Sequence, residues 1–235
     1  PHTIVVLETN GPVKMPWLDN VGAVMQAWYP GSGGGEAIAR LLYGKTAPSG
    51  RLPLSWPRDE SELPRPTIQG AGLYSKAKPA DNVDYNIEGA DVGYRWYEKK
   101  KLKPLFAFGY GLTYTNFAYS DFSVDKDAKG HPVAHVTVKN TGKVAGADVP
   151  QIYVTGPSGG TRRLAGWSKV DLAPGASRRV DIPLEPLTLA RWDDAGKRWR
   201  IAAGQYAFKL GHSAEDFAAD AHVELTEAFP TAKAP

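Results

Sequence analysis

Residues 23–44 read AVMQAWYPGSGGGEAIARLLYG, an apolar run, a glycine-rich turn and an amphipathic run in immediate succession. The apolar run over 23–28 ends at Pro30-Gly31 and predicts a strand buried on both faces, as in a parallel sheet. After Gly33-Gly34-Gly35, Ile38, Leu41 and Leu42 share one helical face. Glu36 falls in the first turn, and Gly44 suits the position just past the helix end. Working outward, residues 4–7 (IVVL) form a second β-branched run closed by Asn10-Gly11-Pro12, and MPWLDN over 15–20 suits a short helical turn. Residues 1–60 therefore predict a strand–helix–strand–helix piece of an α/β layer. Two parallel strands leave edges and faces uncovered. The expectation is that other segments complete the sheet, and that this chain is the downstream part of a longer polypeptide.

Glycine turns that open helices often cradle phosphate, so the turn has to be tested for that role. A P-loop needs Gly-x-x-x-x-Gly-Lys-Ser/Thr, whereas the nearest lysine, Lys45, lies at the far end of the helix. The dinucleotide fingerprint fails as well, because Gly31-Ser32-Gly33 is followed three positions later by Glu36. A carboxylate there occupies the place a phosphate would take and is well set against the helix dipole. Close backbone packing at a strand-to-helix turn is the reading preferred, and no cofactor is expected.

Residues 61–104 are rich in Pro, Gly and polar groups, with LPRPTIQGAG (63–72) and SKAKPADN (75–82) lacking any period. Aromatics then crowd in at Tyr94, Trp96, Tyr97, Phe106, Phe108, Tyr110, Tyr114 and Phe117. From about residue 117 the pattern is all-β. AHVTVKN, VPQIYVT, RRVDIPL and QYAFKLG alternate inward and outward residues, for example Tyr206, Phe208 and Leu210 against Gln205, Ala207 and Lys209. Turn signals separate them at Asn140-Thr141-Gly142, Pro174-Gly175 and Asp194-Ala195-Gly196. About seven such strands predict an antiparallel sandwich of immunoglobulin or fibronectin type. The expected organisation is an incomplete α/β piece over 1–60, a linker over 61–116 and a β-sandwich over 117–235.

Bulk properties exclude several classes. The 235 residues carry 28 basic and 25 acidic side chains interspersed, which leaves no electrostatic footprint for nucleic acid. The run Lys99-Lys100-Lys101 with Lys103 reads as a solvated turn. No cysteine is present, so disulfides, thiolate nucleophiles and zinc–thiolate sites are excluded. No apolar run approaches the ~20 residues of a membrane helix, and no targeting segment is evident. A soluble protein is expected, with its compartment open.

Candidate chemistry is sparse. Glu8 ends the first strand, where ligands of α/β layers bind, and reads either as a site residue or as a structural hydrogen-bonding group. Asp81, Asp84, Glu88 and Asp91 gather in the long loop, as a metal site or as solvated acids, without the spacing of an EF-hand. His2, His131, His135, His212 and His222 show no ligand spacing, so no metal is expected. Ser32 lacks the residues that build a nucleophile elbow. Trp28, Tyr29, Trp96 and Tyr97 suit either buried packing or stacking on sugar rings, with packing preferred. No complete catalytic constellation emerges.

Taken together, several blocks resemble the C-terminal half of glycoside hydrolase family 3 enzymes, the group with bacterial β-glucosidases and β-xylosidases. They are VVLETNGPVKMPWLDNVGAVMQAWYPGSGGGEAIARLLYGKTAPSGRLPLSWP, VGYRWYEKKKLKPLFAFGYGLTYTNFAYS, VKNTGKVAGADVPQIYV, LAGWSKVDLAPGASRRVDIPL and IAAGQYAFKLG. The resemblance implies a parent of three parts: a TIM-like barrel, an α/β sandwich and a fibronectin type III-like domain. This chain would hold the end of the sandwich, a linker and the last domain. It further implies a retaining mechanism with a nucleophilic Asp in the barrel and an acid/base Glu in the sandwich, both upstream of Pro1. Glu8 falls in a strand motif and does not match the acid/base motif, so no catalytic residue is assigned to this chain and its substrate-binding residues stay unassigned. The implied activity is release of terminal glucose from β-linked glycosides by the parent enzyme, with the chain alone inactive. Its implied partners are the upstream domains and the glycoside, with no nucleic acid and no membrane; a homo-oligomer stays open. The alternative is a stand-alone carbohydrate-binding or interaction module.

Overall fold

A computed structural model describes residues 2–66, 86–127 and 130–230. They divide into two compact units, Pro1–Thr46 with Leu54–Ala107 and Ala47–Pro53 with Phe108–Pro235.

In the first unit, β1 (Ile4–Leu7) pairs in parallel with β2 (Ala23–Gln26), Ile4 opposite Ala23 and Leu7 opposite Gln26. A 3-10 turn over Leu18–Asn20 lies between them, as MPWLDN suggested. β2 stops at Gln26, two residues earlier than its apolar run, because Trp28 takes the left-handed conformation at φ +55. The helix α1 (Gly34–Leu42) follows a turn in which Gly31 has φ +66. A Cβ on Gly34 would sit 2.5 Å from the Pro30 Cβ, so only glycine lets the chain close back on the proline ring.

A second 3-10 turn, Glu60–Glu62, is capped by Asp59, whose carboxylate accepts from the Ser61 N–H at 3.0 Å. The aromatic stretch with no predicted element contains a helix, α2 (Tyr94–Lys100). Two turns are too short for a hydrophobic period to be read. The small core of this unit is Met15, Trp56, Trp96, Tyr97 and Ala107. The strands do not share that burial: Ile4 is 50% exposed, and Val5, Val6, Leu7, Val24 and Met25 are only half-buried. Parallel strands of such composition are ordinarily covered on both faces.

The second unit is a sandwich. Its strands are β3 (Phe117–Lys126), β4 (Pro132–Asn140), β5 (Gly146–Asp148), β6 (Gln151–Thr155), β7 (Arg163–Trp167), β8 (Val170–Leu172), β9 (Ser177–Pro183), β10 (Arg191–Asp193), β11 (Arg198–Arg200), β12 (Gly204–Gly211) and β13 (Phe217–Leu225). A one-turn helix, α3 (Pro186–Leu189), precedes β10. One sheet runs β13-β12-β6-β7 and the other β3-β4-β9, all antiparallel, which gives the seven principal strands expected. The ribbons β5-β8 and β10-β11 are additional. Inward residues are sealed: Val136, Val138, Ile152 and Leu210 are 0% exposed and Phe208 1%. Each contributes about 1.5–3 kcal/mol of transfer free energy. Among the described residues, no helix is long and apolar enough to cross a membrane.

Candidate functional site

The carboxyl edge of the β1-β2 pair is where an α/β layer presents ligand-contacting residues. Glu8 stands there exposed. The next residue is fixed from below: Gln26 donates its side-chain N–H to the Thr9 carbonyl at 3.0 Å, and the Thr9 hydroxyl donates to the Gly11 carbonyl at 2.9 Å. Past β2, left-handed Trp28 turns its ring toward Trp56, with centroids 6.5 Å apart and planes at 48°. For a bulky side chain that backbone costs on the order of 1–3 kcal/mol and is kept where surroundings over-determine it. Trp56 is the fixed partner: it is 2% exposed, its indole N–H donates to the Val13 carbonyl at 3.0 Å, and its backbone bridges Phe106. Tyr29, in contrast, is 76% exposed. Of the four aromatics singled out for stacking, it is the one open to solvent.

Trp96 and Tyr97 are packing residues. The Trp96 indole donates to the Glu62 carbonyl at 2.9 Å, and the Tyr97 hydroxyl donates to the Glu62 carboxylate at 3.2 Å. Burial, and then the Glu62 charge, push the Tyr97 phenol above its ordinary value. The loop acids are engaged by cations: Glu88 accepts both its bonds from Arg65 at 2.9 Å, and Asp91 holds Arg95 and Lys99 at 3.0 Å each. Asp81 and Asp84 lie outside the described residues. Within the lysine run, Lys100 lies 4.7 Å from the Trp96 ring centre.

The histidines are not brought together. His131 faces Asp127, His135 lies 2.6 Å from Asp181, and His212 stacks on Tyr119 at 4.3 Å. Among the described residues no group of three or more His, Asp or Glu side chains is arranged to hold a metal. At the glycine turn, Glu36 lies 3.8 Å from Arg40 across one helical turn.

Sequence reasoning missed a polar clamp in the second unit, where residues 47–53 and 108–116 are strapped onto the sandwich. The Leu52 N–H donates to the Tyr110 carbonyl and the Gly109 N–H donates to the Leu52 carbonyl, each at 2.8 Å. Asp148, 1% exposed, pairs with Arg51 and accepts the Tyr119 hydroxyl at 2.7 Å. Burial, then the Asp148 carboxylate, raise the Tyr119 phenol far above its usual range, so it stays a donor. Asn140 accepts from the Thr115 hydroxyl at 2.6 Å and donates to the Val144 and Leu172 carbonyls. Gln151 donates to the Gly109 and His212 carbonyls and accepts the Tyr153 hydroxyl. Gly109, at φ +81, leaves no room for a Cβ beside Gln151. The FGYGLTY motif (108–114) is thus a fastening in which Thr115, Asn140, Asp148 and Gln151 are satisfied, while the Thr113 hydroxyl and the Arg51 Nε–H are buried without a hydrogen-bond partner among the described residues.

Comparison with known proteins divides the chain along the sequence, with residues 47–53 and 108–114 of the second unit falling in the first match. Residues 1–114 match the glycosyl hydrolase family 3 C-terminal domain, and residues 148–214 match the fibronectin type III-like domain. A probable β-glucosidase I of Aspergillus terreus is 40% identical over 233 residues, which take in 92% of this chain and 26% of that protein. The thermostable β-glucosidase B of Acetivibrio thermocellus is 37% identical, over 92% of this chain and 28% of its own. The crystal structure of DesR, a β-glucosidase from Streptomyces venezuelae in complex with D-glucose, superposes with a TM-score of 0.85 at 39% identity. That superposition covers 96% of this chain and 29% of DesR. β-Glucosidase 3B of Thermotoga neapolitana in complex with glucose gives 0.83 at 31% identity, over 96% of this chain and 32% of that one. The chain therefore spans about a quarter of the length of the curated relatives it matches. By sequence and by fold, this chain belongs to glycoside hydrolase family 3, of which it carries the C-terminal α/β region and the fibronectin type III-like domain.

Proposed function

We propose that this chain is the non-catalytic C-terminal portion of a retaining, exo-acting β-glycosidase, a β-glucosidase that removes terminal β-D-glucosyl residues. The observation that carries the reading is the order and extent of the match: β-glucosidases align along 92% of this chain while it spans about a quarter of them. The retaining reaction needs two carboxyl groups, one to form a glycosyl-enzyme intermediate and one to protonate the leaving group and then activate water. Both belong to the upstream barrel and to the rest of the α/β sandwich. The acids of this chain have other uses, as in the Arg65–Glu88 and Arg51–Asp148 pairs.

The chain's own contribution is structural. The half-exposed apolar faces of β1 and β2, and the exposed Tyr29 just past β2, are the surfaces that the remaining strands and helices of the sandwich cover. In domain terms, residues 1–60 complete the sandwich, 61–116 link, and 117–235 form the terminal module. Assay of the 235-residue chain with p-nitrophenyl β-D-glucoside tests this. No turnover above background is expected from the chain alone, and full activity once the upstream domains are supplied; hydrolysis by the isolated chain would overturn the reading.

A further inference from the structure

Beyond that function, we propose that the β10-β11 hairpin of the second unit and the 156–158 loop beside it form a carbohydrate-binding site for one ring of a neutral oligosaccharide. The hairpin sequence RWDDAGKRWR (191–200) places Trp192 directly opposite Trp199. Their rings meet edge to face at 5.6 Å, yet the side chains stay 48% and 37% exposed. Two adjoining indoles left open on so short a ribbon bury little for the folding of the module itself.

Trp192 borders a cavity of about 250 Å³, with Tyr206 also in its lining. That volume lies below the ~300–1,000 Å³ of sites that enclose a drug-sized ligand, and fits one sugar ring with its neighbours outside. Arg163, Arg191 and Arg200 line it together with Asp193 and Asp194. Such a wall offers donors and acceptors side by side, which suits the vicinal hydroxyls of a pyranose. Three cations against two carboxylates leave little net charge for capturing a polyanion. The C–H face of the ring would lie on the Trp192 indole.

The hairpin is held in place without using that face. Arg191 donates to the Gly159 carbonyl at 3.2 Å, which ties loop to ribbon, and Arg198 stacks over the Phe229 ring at 3.7 Å. Lys197 closes the turn in the left-handed conformation at φ +48. The cavity is therefore preformed.

Glucose-based probes rest on the function proposed above; the site itself does not. The test is ligand-observed saturation-transfer NMR of the 235-residue chain with cellotetraose, laminaritetraose, xylotetraose and mannotetraose. Trp192→Ala is the test variant. Trp167→Ala is the control, a more open tryptophan (61% exposed) on β7 outside the cavity. Saturable binding of at least one oligosaccharide is expected, weakened about tenfold or more in Trp192→Ala and unchanged in Trp167→Ala. Binding only of the xylose or mannose probes, lost in Trp192→Ala, supports the site and counts against glucose as the parent's sugar. Absence of saturation at about 10 mM for all four, or equal binding by Trp192→Ala, overturns the proposal. No step of the assay depends on hydrolysis, so its failure is separable from failure of the proposed activity. If Trp192→Ala melts below the wild type, Asp194→Asn, which lines the cavity without tying the loop to the ribbon, replaces it with the same readout.

Discussion

Substituting Asp148 by Asn asks how much the polar clamp contributes. Asn keeps the volume and its one oxygen can still accept the Tyr119 hydroxyl, which turns the amide NH2 toward Arg51. The change therefore removes both the charge and the acceptor that Arg51 faces. Removing one partner of a buried ion pair costs about 3–5 kcal/mol, because the other charge is left uncompensated. Arg51 is 17% exposed and keeps the Gly111 carbonyl as an acceptor, which places the expected cost near the lower figure, about 3 kcal/mol. The unit has roughly 135 residues (Ala47–Pro53 with Phe108–Pro235) and an unfolding entropy of about 2.1 cal/mol/K per residue, so its Tm should fall by about 10 °C. Calorimetry of the 235-residue chain reads the shift. Hydrogen exchange over 134–140 and 151–155 confirms that the loss lies in the sandwich. The Arg51→Met/Asp148→Asn double variant should recover most of the stability lost in Asp148→Asn, because no charge is left stranded and the Asn oxygen still accepts the Tyr119 hydroxyl. A loss below about 1 kcal/mol for Asp148→Asn, or strict additivity in the double variant, would refute the clamp.

Three further expectations concern backbone and capping. Gly109→Ala drives a Cβ onto the Gln151 side-chain amide at φ +81, so urea denaturation should show at least ~1–3 kcal/mol lost; an unchanged midpoint counts against the fastening role of FGYGLTY. Gly34→Ala drives a Cβ into the Pro30 ring, and should lower hydrogen-exchange protection along α1, whereas Gly35→Ala, inside the helix with open space around it, should not. The Asp59 carboxyl, held down to about 2 by the Ser61 N–H and then by Lys14, has a folded value below its ordinary 3.8. Its stabilisation of the 59–62 turn is therefore present above pH 3.8 and lost as pH falls through about 2. An NMR titration of its carboxyl carbon with a midpoint near 4 would contradict this.

Much of the fold was legible because burial imposes a local period. Tyr206, Phe208 and Leu210 are buried as their alternation requires, and the apolar runs at 4–7 and 23–26 pair in parallel as their two-sided composition suggests. Other features leave no such trace. The second strand's apolar run continues past its structural end because hydrophobicity says nothing of the left-handed turn at Trp28. The Arg51–Asp148 pair spans 97 positions, a distance over which composition carries no register. Glu62 receives Trp96 and Tyr97 across 34 and 35 positions for the same reason. The open Trp192–Trp199 pair does leave a signal, one tryptophan two residues before Asp194 and one three residues after Gly196, but the local pattern marks only the turn between them.

Under the proposed function the reacting carboxylates lie outside these 235 residues. Incubating the parent enzyme with a 2-deoxy-2-fluoro-β-glucoside, which accumulates the glycosyl-enzyme intermediate, and then mapping the labelled peptide, tests that directly. The label should fall on an aspartate upstream of Pro1. A fluoroglucosyl adduct on any peptide of residues 1–235, Glu8 included, would contradict it.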